Sequence, residues 1–194
     1  LPVLERLLAA YPRLKIVLEH LSGREALAFV LAGPARLAGT LTAHHLLLSL
    51  EDLLGEGLSP HLYCKPLLKG EADRDALREA AFRGEGMLFF GSDSAPHARA
   101  AKESGRAPAG IYSSPAALPA LAGLFERAGA LGALGDFVAG RGAAFYGLPA
   151  PSGSLELVRE AWEVPAEVDG AVPLLAGSRL PWRLGRLDRG SPGG

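Results

Sequence analysis

Three short apolar runs set the limits on what this chain can fold into. Leu14–Leu18, Leu37–Thr42 and Met87–Phe90 are rich in branched or aromatic residues, and helical patterns separate them. The spacing predicts helices over Pro2–Tyr11, from Ser22 to about Leu31, over Glu71–Arg83, from Ser114 to about Ala128 and over about Leu131–Ala139. Strands that alternate with helices argue for a parallel α/β architecture. The local signals agree. Pro2 sits in a first turn, where its missing N–H costs little. Ser22-Gly23-Arg24-Glu25 has the form of a capping box, and Ser114-Pro115 places a serine cap before a proline at the first helical position. Pro60 to Pro66 reads as a short extended segment held between prolines.

Each apolar run ends in polar residues. The first leads into Glu19-His20, the second into Ala43-His44-His45, and the third into Gly91-Ser92-Asp93-Ser94-Ala95-Pro96-His97. The C-terminal rim of a parallel sheet or barrel is where such folds place chemistry. A single polar strand end is an ordinary turn; three on one rim suggest a site. His20, His44, His45 and Asp93 are all metal-capable, since carboxylate and imidazole are ordinary zinc donors. His44 and His45 are neighbours on a strand and would face opposite ways, so they are read as structural, as is His61. No motif puts a base beside Cys64, which reads as a small buried apolar residue. Trp162 and Trp182 are expected to anchor packing. Arg99 and Lys102 either order the loop or are solvated charges.

With 194 residues, 48% of them hydrophobic, the chain can build one sizeable core. Its 20 basic and 21 acidic residues give no electrostatic case for nucleic acid or for a membrane surface. The single cysteine permits no intramolecular disulfide and favours a reducing, cytoplasmic home. No signal peptide and no apolar run of spanning length is found. Residues 1–194 are expected to form a single domain, with β/α units over about 1–150, a C-terminal segment packing on them over 151–188, and a loose tail over 189–194. A complete (β/α)₈ barrel takes ~250 residues, and this chain offers about three β/α units, so it reads as the back part of a barrel. Leu1 lies inside an amphipathic pattern, which suggests a start part-way through a longer protein. Three units would leave two open parallel edges. The isolated chain is expected to be insoluble or molten, and a sharp thermal melt from a monomer would contradict that.

Taken in order, Leu18-Glu19-His20, Thr40 to Leu46, Pro60-His61-Leu62-Tyr63-Cys64, Gly91 to Arg99, Lys102-Glu103-Ser104, Phe145 to Pro149 and Glu156 to Glu160 cover nearly the whole chain. Together they resemble the dihydroorotase family of the amidohydrolase superfamily, in its shorter, homodimeric bacterial type. The resemblance implies the C-terminal part of a metal-dependent (β/α)₈ TIM barrel. It also implies reversible, zinc-dependent cyclisation of N-carbamoyl-L-aspartate to L-dihydroorotate plus water, a step of pyrimidine biosynthesis. By the same resemblance, two zinc ions occupy a complete site, bridged by a carboxylated lysine that lies outside this chain. His20 corresponds to a ligand of one metal; Asp93 corresponds to a ligand of the other and to the general acid/base. His97 corresponds to a clamp on the substrate carboxylate, and the backbone of Lys65 and of Ala109 to further substrate contacts. The remaining metal ligands fall upstream of Leu1 in the family pattern. Lys65 stands where the family commonly has an apolar residue, and Gly105 to Gly110 lacks the cysteines of some relatives. Two other readings stay open: a non-catalytic dihydroorotase-like partner subunit, and an enzyme acting on another cyclic amide such as a hydantoin or allantoin. Ser94-Ala95-Pro96-His97 speaks against the latter, because the histidine implies a carboxylated substrate.

Overall fold

In this computed structural model, residues 1–149 and 153–188 are described; the expected tail over 189–194 lies outside them. The three strands form one parallel sheet: β1 (Ile16–Leu18), β2 (Leu37–Leu41) and β3 (Leu88–Phe90), in that order, with Leu18 opposite Gly39 and Leu41 opposite Phe90. All five residues of β2 are buried, as expected for a central parallel strand covered on both faces. Helices α1 (Pro2–Ala10), α2 (Arg24–Leu31), α5 (Glu71–Arg83) and α7 (Ala117–Arg127) supply the surrounding layers. Between β2 and α5 run two one-turn helices, α3 (Ala43–Leu47) and α4 (Leu50–Leu54). The main core cluster joins Leu27 and Val30 of α2, Leu37 and Leu41 of β2, Leu77 and Ala81 of α5, and Leu121 and Phe125 of α7, and a smaller one joins Ala38, Phe89 and Phe145. Among the described residues, β1 and β3 are each paired on one side only.

Several helix ends depart from expectation. The Ser22–Glu25 box does not form; α2 starts after Gly23 with no side-chain cap of its own. Asp73 of α5 takes the place of the cap, accepting from the Arg24 N–H at 2.9 Å. Ser114-Pro115 forms a turn, and α7 begins at Ala117 on the Ser113 carbonyl, which accepts from the Ala116 and Ala117 N–H groups. Pro60–Leu62 is a 3₁₀ turn rather than extended chain, and the Lys65–Pro66 bond is cis. The helix expected over 131–139 is a 3₁₀ turn (Leu131–Ala133) and a π turn (Asp136–Gly140) leading into α8 (Arg141–Tyr146).

After residue 152 the chain forms two antiparallel ribbons, β4 (Ser154–Val158) with β7 (Arg183–Asp188), and β5 (Trp162–Glu163) with β6 (Arg179–Leu180). β6 and β7 lie against α7. There Glu126 accepts from Trp182 Nε1 at 3.0 Å and from Arg159 Nε at 2.8 Å. Trp182 anchors this packing as expected.

Candidate active site

Thr40, in the central strand, organises the site. Its hydroxyl accepts from the His20 N–H at 2.7 Å, and its carbonyl accepts from the Leu21 N–H at 2.9 Å. On the other side Gly91 closes on it so tightly that a Cβ there would lie 2.9 Å from the Thr40 Cβ. One buried threonine therefore gauges the approach of both flanking strand ends. His20 and Asp93 leave those ends with φ of 44° and 39°, in the left-handed region that ordinary residues rarely enter. Strained backbone of this kind, over-determined by its surroundings, is typical of functional positions. Glu19, His20, Thr40, Gly91, Ser92 and Asp93 line one cavity of about 210 Å³. An imidazole and a carboxylate facing one small polar cavity are a sound zinc donor pair. Two donors are fewer than the three or four that a zinc ion takes from protein, so an ion here would need further ligands.

The loop after Asp93 is fastened from the other side. Ser94 Oγ accepts from the N–H groups of Ser113 and Ser114 at 3.1 and 3.0 Å, and Ser113 Oγ donates to the Ser92 carbonyl at 3.2 Å. The Ala95 N–H donates to the Ile111 carbonyl at 3.0 Å. His97 Nε2 lies 3.1 Å from the Ala109 carbonyl, which joins two of the expected substrate contacts directly. Gly110 has φ of 149°, and a Cβ there would meet the Ala95 carbonyl at 2.8 Å and His97 Nε2 at 2.9 Å. Lys65 is exposed. Lys102, one of two charges the sequence left unassigned, is only 2% exposed. Its neighbours Arg99 and Glu103 pair with each other at the surface, which disguises it.

His44 and His45 do not line the site cavity. They lie on α3, not on a strand, because Thr42 ends β2 and its side chain caps the helix by accepting from the His45 N–H. Both rings are buried. His44, His45 and Cys64 offer atoms within 4.8 Å of one another. The His45 and Cys64 atoms are already committed, while those of His44 have no hydrogen-bond partner among the described residues. His45 Nδ1 lies 2.8 Å from Thr42 Oγ1 and its Nε2 lies 3.1 Å from the Pro66 carbonyl, which also accepts from Cys64 Sγ at 3.2 Å. Thr42, His45, Cys64 and the Pro66 carbonyl form a buried polar knot. Burial pushes the Cys64 thiol up to about 11, which leaves it a poor nucleophile.

Burial, helped by the nearby charges of His45 and His20, holds His44 down at about 3. Burial, opposed by the Pro66 carbonyl, holds His45 at about 4. Neither ring nitrogen of His44 has a partner among the described residues. Above the unfolded value near 6.5, native and unfolded states both keep these rings neutral. Below about 6.5 the unfolded chain takes up protons that the native state refuses, so stability falls with pH toward 4. The urea midpoint is expected to drop across that window, and to drop less in His44→Leu.

No protein-family model matches the chain. A curated dihydroorotase of Halorhodospira halophila is 51% identical over 186 residues, covering 94% of this chain and 54% of that protein. The chain thus spans about half the length of the curated relatives it matches. The crystal structure of the Saccharomyces cerevisiae dihydroorotase, in complex with 5-fluoroorotic acid, superposes with a TM-score of 0.88 at 36% identity, over 96% of this chain and 55% of that one. A D-hydantoinase, at 18% identity and a TM-score of 0.74 over 89% of this chain and 43% of its own, shares the fold alone. In sequence and in fold alike, this chain matches the C-terminal portion of dihydroorotases.

Proposed function

We propose that this chain is the C-terminal part of a dihydroorotase (β/α)₈ barrel, whose complete protein interconverts N-carbamoyl-L-aspartate and L-dihydroorotate. The observation that carries the reading is the meeting of His20 and Asp93, from the ends of two strands that flank Thr40, at one small cavity. In this reading His20 and Asp93 each hold one of two zinc ions, and the other ligands, with the bridging carboxylated lysine, come from outside these residues. Bound zinc would polarise the scissile carbonyl and lower the pKa of water. Asp93 takes the proton of the attacking water and delivers it to the departing ring nitrogen.

His97 and the backbone of Lys65 and Ala109 hold the substrate. His97 holds the Ala109 carbonyl through Nε2, which leaves Nδ1 as its nitrogen for a substrate carboxylate. That preference for a carboxylated ring favours dihydroorotate over a hydantoin. A homodimer and a cytoplasmic location belong to the same reading; among the described residues no helix is long and apolar enough to cross a membrane. The test is to purify the complete protein, count its zinc and assay it. About two zinc ions per chain with turnover of dihydroorotate, and little of hydantoin, are expected. A zinc-free, inactive protein that co-purifies with a carbamoyltransferase would instead favour the partner-subunit reading.

A further inference from the structure

We propose that Lys102 is a positioning residue for the substrate: its buried ammonium fastens the Tyr63–Lys65 segment to the Pro108–Gly110 segment and so sets the gap between two stretches of substrate-binding backbone. The inference rests on the dihydroorotase reading, which puts Lys65 and Ala109 against the substrate.

Lys102 closes α6 (Arg99–Lys102), the single turn that follows the His97 loop. An ammonium has three N–H donors, and three carbonyls use them all. Lys102 Nζ donates to Tyr63 O at 2.9 Å, to Pro108 O at 3.0 Å and to Gly110 O at 2.8 Å. No carboxylate pairs with it among the described residues. Burying a cation with no counter-ion is costly, and burial holds this ammonium below the usual lysine range. A methionine would fill the same space without that cost. What it would not do is satisfy three carbonyls from two segments that are some forty residues apart in the chain.

The arrangement is directional. The carbonyls of Pro108 and Gly110 turn to the lysine, while that of Ala109, between them, turns to His97. The Gly110 N–H also donates to Tyr63 O at 2.9 Å, so the lysine reinforces a direct backbone link between the segments. Without the ammonium that link stands alone, and the carbonyls on either side of Ala109 lose their donor. Small displacements of substrate-holding groups weaken binding and orientation even when the reacting groups stay in place.

The experiment uses the complete enzyme and three variants, Lys102→Met, Lys102→Ala and Lys102→Arg, with hydrogen exchange as a readout besides activity. In Lys102→Met, KM for dihydroorotate should rise about tenfold or more while kcat falls by about threefold or less and bound zinc is unchanged. Amides over residues 62–66 and 108–111 should exchange faster, with those of β1–β3 unaltered. Ethylammonium should lower the raised KM of Lys102→Ala, by placing an ammonium back among the three carbonyls. Lys102→Arg keeps the charge but not the compact shape, and should fall between Met and wild type. An active wild type with unchanged KM and exchange in Lys102→Met overturns the inference alone. So does a uniform loss of zinc, kcat and protection without amine rescue, which would make the lysine a general prop of the fold. A wild type that does not turn over dihydroorotate overturns the functional reading, and the positioning role falls with it.

Discussion

Asp93→Asn in the complete protein is expected to lower turnover of dihydroorotate by ~10³-fold, within the range that loss of a general acid/base commands. The substitution is unusually clean. Asp93 holds φ of 39°, and asparagine tolerates that region as well as aspartate does. Asparagine also matches aspartate in shape, so the packing around the position is kept. What changes is chemistry: an amide cannot accept the proton of water, and it is a weaker metal donor than a carboxylate. Initial rates in both directions, a zinc count and a urea melt on the same preparation separate these effects. A variant that kept a tenth of the wild-type rate would remove Asp93 from the proton path.

Phe125→Ala is expected to cost ~3–5 kcal/mol, the usual penalty for emptying a fully buried aromatic site. Phe125 is 0% exposed. It stacks on Phe137 with ring centres 5.5 Å apart and meets Phe82 edge-on at 4.9 Å, so three elements, α7, the π turn and α5, share one cluster. Phe137 in turn lies 6.3 Å from Phe90, the last residue of β3. The cavity would open behind Phe137, one ring removed from the strand that leads to Asp93. Urea unfolding of the complete protein measures the loss, and a cost below ~1 kcal/mol would mean that the cluster collapses to refill the space. Bound zinc and KM should hold at low temperature, because the polar contacts around Thr40 and Ser94 do not involve this cluster.

The elements that the sequence made legible are those whose reasons are local. Glu71–Arg83 is helical over the span that its pattern predicts, and the run before Gly91 is the strand that carries Asp93. The parallel order of the three strands follows from their alternation with helices. Most of the misreadings involve a partner from elsewhere, and one a local cap. Ser22 looks like a cap, but Asp73 lies close enough in space to replace it. His44 and His45 read as a strand end because Thr42 looks like its last residue, when its hydroxyl instead starts a helix. Lys102 sits in a charged surface stretch, and only carbonyls 39, 6 and 8 residues away make it internal. Within the site, His20 and Asp93 were legible from their strands, whereas Thr40, the residue that spaces them, carries no chemical signature in the sequence.

The left-handed backbone at His20 and Asp93 has a consequence for anyone seeking a hardier version of this protein. Each position costs about 1 kcal/mol or more that a glycine would not incur. Selection for thermal tolerance alone would reach these two strand ends early, and would reward the replacements that empty the site. Under the proposed function, histidine and aspartate here are a stability–activity compromise written into the main chain, so a screen on this fold has to score turnover alongside melting temperature.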